Sequence, residues 1–139
     1  MEALLLSVHV VAGILFVGPV AVSTSLFPRY AADEREVAQA LHRITRVYGL
    51  LAVIVPVAGL ALAFAQGRTT EVWVLVAMLL TAIAGGLLAL QITPRQRAVL
   101  AAPGSTAGLR RLGMLTGAFN LLWAVVVVLM IVRPGSAYA

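Results

Sequence analysis

Ala3 to Phe27 reads ALLLSVHVVAGILFVGPVAVSTSLF, a stretch without one formally charged side chain. As a helix rising about 1.5 Å per residue it reaches about 37 Å, further than the ~30 Å hydrocarbon layer of a bilayer. Three stretches of similar character follow, at Ile44 to Gln66, Glu71 to Ile92 and Leu112 to Val132. The chain is 62% hydrophobic and 11% charged, whereas water-soluble domains carry about 25% charged residues. The reading is an all-α integral membrane bundle of four transmembrane helices, forming one domain over residues 1–139. Helices are expected at about 3–27, 33–66, 71–92 and 106–132, with cytoplasmic loops at 28–43 and 93–111 and a short tail at 133–139. Only Glu2 is charged ahead of the first stretch. A secretory signal opens on basic residues before a shorter apolar core, so this stretch is expected to remain as a mature helix.

Arginine placement orients the bundle. The first loop and its flanks hold Arg29, Arg35, Arg43 and Arg46, and the third holds Arg95, Arg97, Arg110 and Arg111; elsewhere there are only Arg68 and Arg133. Short loops rich in Arg stay in the cytoplasm, so both termini and the Gly67 to Thr70 turn are expected outside. Trp73 then falls at the outer interface and Tyr30 and Tyr48 at the inner one, where amphipathic rings settle. The net charge of +5 is therefore topological, and no nucleic-acid partner is expected, because a binding face needs clustered cations among polar or aromatic readers. The absence of cysteine excludes disulfides, thiolate metal sites and covalent c-type haem attachment.

Asp33-Glu34-Arg35-Glu36 has the form of a helix start, with Asp33 as N-cap and Glu36 three residues on. The second helix is thus expected to begin in water, with Val37, Leu41 and Ile44 as its apolar stripe, packed on the third loop or on another subunit. Thr93-Pro94 is expected to open a short helix through Leu100, with Ala102-Pro103-Gly104-Ser105 as the break that follows.

Polar groups inside a bilayer are costly and point to function. His9 is the one titratable side chain placed within a span, and Asn120 and Trp123 lie mid-way along the fourth. Ser23, Thr24, Ser25, Thr81 and Thr116 are expected to bond to carbonyls of the preceding turn. Gly113 and Gly117 form a GxxxG pair, Ala82 and Gly86 a looser version, and both mark faces where helix backbones can approach closely. Pro19 and Pro56 are expected to kink the first two helices. A haem or copper site would use His9, with Met78 at a matching depth. His42 lies near the other end of the membrane, about 25 Å away by helix rise.

Ser7-Val8-His9 followed by Phe16-Val17-Gly18 resembles the first helix of the CopD-like superfamily of small integral membrane proteins of unknown function. Pro56-Val57-Ala58-Gly59-Leu60, Trp73 and Thr93-Pro94-Arg95 extend the likeness over most of the layout. The resemblance implies four membrane helices, and attaches haem or copper to His9 alone. The chain is also similar to the small accessory membrane subunits of actinobacterial cytochrome bcc-aa3 oxidase supercomplexes, which are short, helical and rich in small-residue faces. That likeness implies a bacterial cell membrane protein held in a hetero-oligomer with other integral membrane subunits and lipid.

Every acid (Glu2, Asp33, Glu34, Glu36, Glu71) falls at or beyond an interface, leaving no buried carboxylate pair for acid–base work. The expectation is a non-catalytic accessory subunit of a respiratory oxidase assembly, without a cofactor of its own. The alternatives are a stand-alone haem- or copper-binding protein using His9 and a small transporter, although the two prolines have no counterparts in the third and fourth spans.

Overall fold

The computed structural model describes residues 1–102 and 106–136. Four helices alternate in direction through it: α1 (Glu2–Ala31), α2 (Arg35–Ala65), α3 (Val72–Ala101) and α4 (Leu109–Val132). All are long and apolar enough to cross a membrane, and no strand occurs among the described residues. Large aliphatic side chains such as Ile14, Leu50, Leu90 and Ile131 point outward, while Ala38, Ala84, Ser23, Thr24, Thr45 and Gln96 are buried. In a hydrocarbon solvent leucine would gain nothing by turning inward, so small side chains that permit close packing and polar ones that need partners can share the interior with Phe27, Ile92 and Leu112.

The prolines set the irregularities. In α1 the turn Gly13–Val17 opens to a wider π-type spacing just before Gly18-Pro19, and in α3 the turn Leu88–Ile92 does the same before Thr93-Pro94. A proline supplies no N–H and its ring crowds the carbonyl four residues back, and a wider turn relieves both. In α2 the helix breaks at Ala52-Val53, where the carbonyl of Ala52 that Pro56 cannot reach accepts the N–H of Val55 at 3.0 Å. Pro28, inside α1, leaves the carbonyl of Thr24 without its helical donor, and the hydroxyl of Thr116 on α4 lies 3.4 Å from it.

These devices let α1 and α3 run further than the loops assigned to 28–43 and 93–111 allow. Thr93-Pro94 opens the helical segment Thr93–Ala101, as expected, and that segment follows directly on the widened turn and so extends α3. Ala32, Asp33 and Glu34 alone join α1 to α2, and the Asp33 and Glu34 amides both bond to the carbonyl of Tyr30. Asp33 is therefore not the N-cap. Glu34 holds that position without a side-chain cap bond, because the tight hairpin already satisfies the local amides. The expected break at Pro103-Gly104-Ser105 lies outside the described residues.

The first turns of α2 rest on the end of α3, where Arg35 Nη1 donates to the carbonyl of Leu100 at 2.6 Å, a cation at a helix C-terminus. The inward face of α2 carries Ala38, Leu41, His42 and Thr45. Of the expected apolar stripe only Leu41 is buried; Val37 and Ile44 are exposed. The face is rotated because polar His42 and Thr45 have partners inside and Ala38 lets the neighbouring helix approach. At this arginine-rich end the core is continuous, built on Phe27, Leu41, Leu88, Ile92 and Leu112. Further down, the bundle divides. Glu2–Ala12 packs on Ile54–Ala65, and Val72–Leu87 packs on α4, with sparse contact between α2 and α3 there.

The opposite end is tied down by polar contacts. Gly67 takes a left-handed φ of 66°, which lets the amides of Gly67 and Arg68 close the end of α2 on the carbonyls of Phe64 and Ala63. Glu71 Oε2 accepts from Trp73 Nε1 at 2.5 Å, and the Arg133 guanidinium lies 5.6 Å from the centre of the Trp73 ring. A hydrogen bond from Ser136 holds the Glu71 carboxyl below its ordinary 4.5; partial desolvation opposes this, and Trp73, Arg68 and Arg133 add to the lowering. A lowered folded-state pKa contributes stability above 4.5 that is lost as pH falls through the folded value. In a Trp123→Phe background, Trp73 emission should therefore hold steady from neutral pH down to 4.5 and shift only in stronger acid. Glu71→Gln should remove that acid transition.

Candidate functional site

Two polar arrangements lie inside the bundle, one in each half. In the divided half, His9 on α1 is buried against Ile54–Ala65 of α2, with Nδ1 2.9 Å from the carbonyl of Val55. A carbonyl only accepts, so Nδ1 donates in this bond, and Nε2 takes no part in it. The ring fits because residue 59 is glycine: a Cβ there would stand 2.7 Å from His9 Cε1. The Pro56-Val57-Ala58-Gly59-Leu60 motif thus has a physical meaning, a seat for the imidazole.

In the continuous half, His42 Nδ1 lies 2.9 Å from Gln96 Oε1, joining α2 to α3. The Phe27 ring tilts against the imidazole, with centroids 6.5 Å apart. Ser23 and Thr45 share a hydrogen bond of 2.8 Å between α1 and α2, and the Thr45 hydroxyl also reaches the carbonyl of Leu41 at 2.9 Å. Gln96 is fully buried, and its Nε2 has no hydrogen-bond partner. Towards α4, Asn120 Nδ2 donates to Ser25 Oγ at 3.0 Å, leaving Asn120 Oδ1 and Trp123 Nε1 unpartnered. Local bonding of the hydroxyls holds for Thr24 and Ser25, which reach Val20 and Ala21 at 2.7 and 2.6 Å. Ser23 bonds both to the carbonyl of Val20 at 3.3 Å and across to Thr45, while Thr116 reaches across to the carbonyl of Thr24.

No protein-family model, curated protein or solved structure matches this chain.

His9 and Met78 stand on different helix pairs, since α1 packs on α2 in this half while α3 packs on α4. No group of three or more His, Cys, Asp or Glu side chains converges among the described residues. Gly113 and Gly117 are exposed, and nothing lies within 4 Å of where a Cβ would stand on either, or on Gly86. Ala82 is exposed too. The small-residue faces of α3 and α4 therefore look out of the bundle and are not used for packing within this chain. Val37 is exposed and Leu41 is in the core.

The His42–Gln96 and Ser23–Thr45 contacts are the features that residue-by-residue reading missed. His42, Gln96 and Arg43 lie in the stretches 28–43 and 93–111, whose arginines give them the composition of loops and not of membrane-buried helix. One available signal was the spacing of Ala38, Leu41, His42 and Thr45, which places them on one helical face.

Proposed function

We propose that this protein is a non-catalytic accessory subunit, packed against a larger membrane assembly of the respiratory oxidase kind, with loops one and three in the cytoplasm and both termini outside. The observation that carries the reading is the open glycine face of α4. Leu112, Thr116, Phe119 and Val126 are buried against the bundle, whereas Gly113, Gly117, Leu121, Ala124 and Val128 form an exposed stripe on the other side. In lipid such a notch favours close contact with another helix, through van der Waals packing that bulkier residues would prevent. The arginine asymmetry supports the orientation, with eight guanidinium groups near one end of the bundle and Arg68 and Arg133 at the other.

The test is mild-detergent purification of the full chain from its native membrane, followed by mass spectrometry. Stoichiometric recovery with oxidase subunits is expected, with no absorbance beyond that of the oxidase's own haems. Gly113→Leu and Gly117→Leu should each reduce that recovery about tenfold or more, equivalent to ~1.4 kcal/mol of association, while leaving the thermal stability of the isolated protein unchanged. Unaltered recovery in both variants would sink the glycine-face reading.

A second reading, a haem- or copper-binding protein, is favoured by one observation: the bond from His9 Nδ1 to the carbonyl of Val55 is of the kind that holds a ligating imidazole in a fixed orientation. A Soret band or stoichiometric copper in the isolated protein, abolished by His9→Ala, would replace the subunit reading.

A further inference from the structure

We propose that a groove along α2 is a retention site for one anionic phospholipid, taken from the leaflet at the arginine-rich end. The proposal is independent of the subunit reading.

The groove has two parts, with Leu50 lining both. Its upper part is a 580 Å³ cavity in which Arg43 and Arg46 stand beside Gln39 and His42, with Val47, Leu50 and Leu100 as the apolar walls. No carboxylate lines it. Arg43 and Arg46 are exposed, and neither has a hydrogen bond or ion pair among the described residues. Leu50 also begins the lower part, a 440 Å³ depression floored by Val53, Ile54, Val57, Ala58 and Ala61. Residues 39, 43, 46, 50, 53, 57 and 61 succeed one another at three- and four-residue steps, so both parts lie on one stripe of α2. Its lower part, from Val53 to Ala61, lies in the half of the bundle where α2 and α3 make little contact.

Charge and length select the occupant. Two unpaired guanidinium groups with a neighbouring imidazole suit a phosphodiester, which accepts the planar, paired N–H groups of arginine. The eleven steps from Leu50 to Ala61 cover about 16 Å, close to half of a ~30 Å hydrocarbon layer and so to one acyl chain of a single leaflet. A soluble phosphate would use only the upper part. A partner helix would bring apolar surface to the lower part and leave the arginines without a counter-charge.

The experiment uses the full chain, delipidated in mild detergent and titrated with phosphatidylglycerol or with phosphatidylcholine of the same acyl chains, with adducts read by native mass spectrometry. Phosphatidylglycerol should be retained about tenfold more strongly. The exposed-site double variant Arg43→Gln/Arg46→Gln should remove the preference. Arg110→Gln/Arg111→Gln, at the same end of the bundle but outside the groove, should preserve it. Val57→Trp should weaken retention of both lipids by filling the acyl path. Equal retention of the two lipids, or a preference indifferent to Arg43 and Arg46, overturns the proposal. So does displacement of the lipid by millimolar inorganic phosphate, and so does a photo-crosslinker at Val57 that captures a polypeptide instead of lipid in native membranes.

Discussion

Gly59→Ala is expected to destabilise the bundle by about 2 kcal/mol, within the ~1–3 kcal/mol typical of overpacking a filled interior, although alanine is the better helix former by about 1 kcal/mol. The new methyl would stand 2.7 Å from His9 Cε1, so the ring must leave its seat and with it the carbonyl of Val55. The decisive form of the experiment is a double-mutant cycle. In a His9→Ala background the obstruction is gone, and Gly59→Ala should become neutral or stabilising. That reversal of sign, measured by reversible unfolding in mixed micelles, distinguishes a steric seat from a general intolerance of α2 to substitution. The same loss in both backgrounds would mean that Gly59 matters for some reason other than the imidazole.

Gln96→Leu should cost about 1–2 kcal/mol, because it leaves a buried imidazole N–H without its acceptor. His42→Leu should cost a similar amount, since the Gln96 amide, already carrying one unpartnered nitrogen, would lose its remaining bond. The double variant His42→Leu/Gln96→Leu should recover much of the loss, since removing both partners leaves no buried polar group unsatisfied. Coupling between the two positions is the quantity to read. Strictly additive effects would show that the 2.9 Å contact contributes nothing of its own, and that the two residues serve only to fill space.

These two contacts also mark where sequence reading succeeded and where it stopped. His9 was legible: an ionisable side chain in the middle of an apolar stretch stands out because charge and hydrogen-bonding capacity are expensive in hydrocarbon. Its seat was not, since nothing in Ser7-Val8-His9 states which of the other three helices turns a glycine toward it. His42 and Gln96 were hidden for a different reason. Arginines on either side made their surroundings look aqueous, and the continuation of α2 and α3 beyond the hydrocarbon depends on packing between those two helices. Gly113 and Gly117 were visible as a notch, but spacing alone cannot say whether a notch faces inward. In the folded chain, the bulkier Leu112, Thr116 and Phe119 hold the inner side of α4 and turn the glycines outward.

Four apolar lengths, their separation by short polar links, and the gathering of arginines beside two of those links follow from composition along the chain. Those features are set by the solvent, which sorts segments by transfer free energy residue by residue and needs no knowledge of neighbours. Which faces meet was decided only in three dimensions. Hydrocarbon exerts little preference between an inward and an outward leucine, so helix rotation is left to a few short-range matches: Gly59 under His9, Gln96 against His42, and Thr116 at the carbonyl that Pro28 leaves open. Each joins residues far apart in the chain, and each depends on distances of about an ångström that no periodicity encodes.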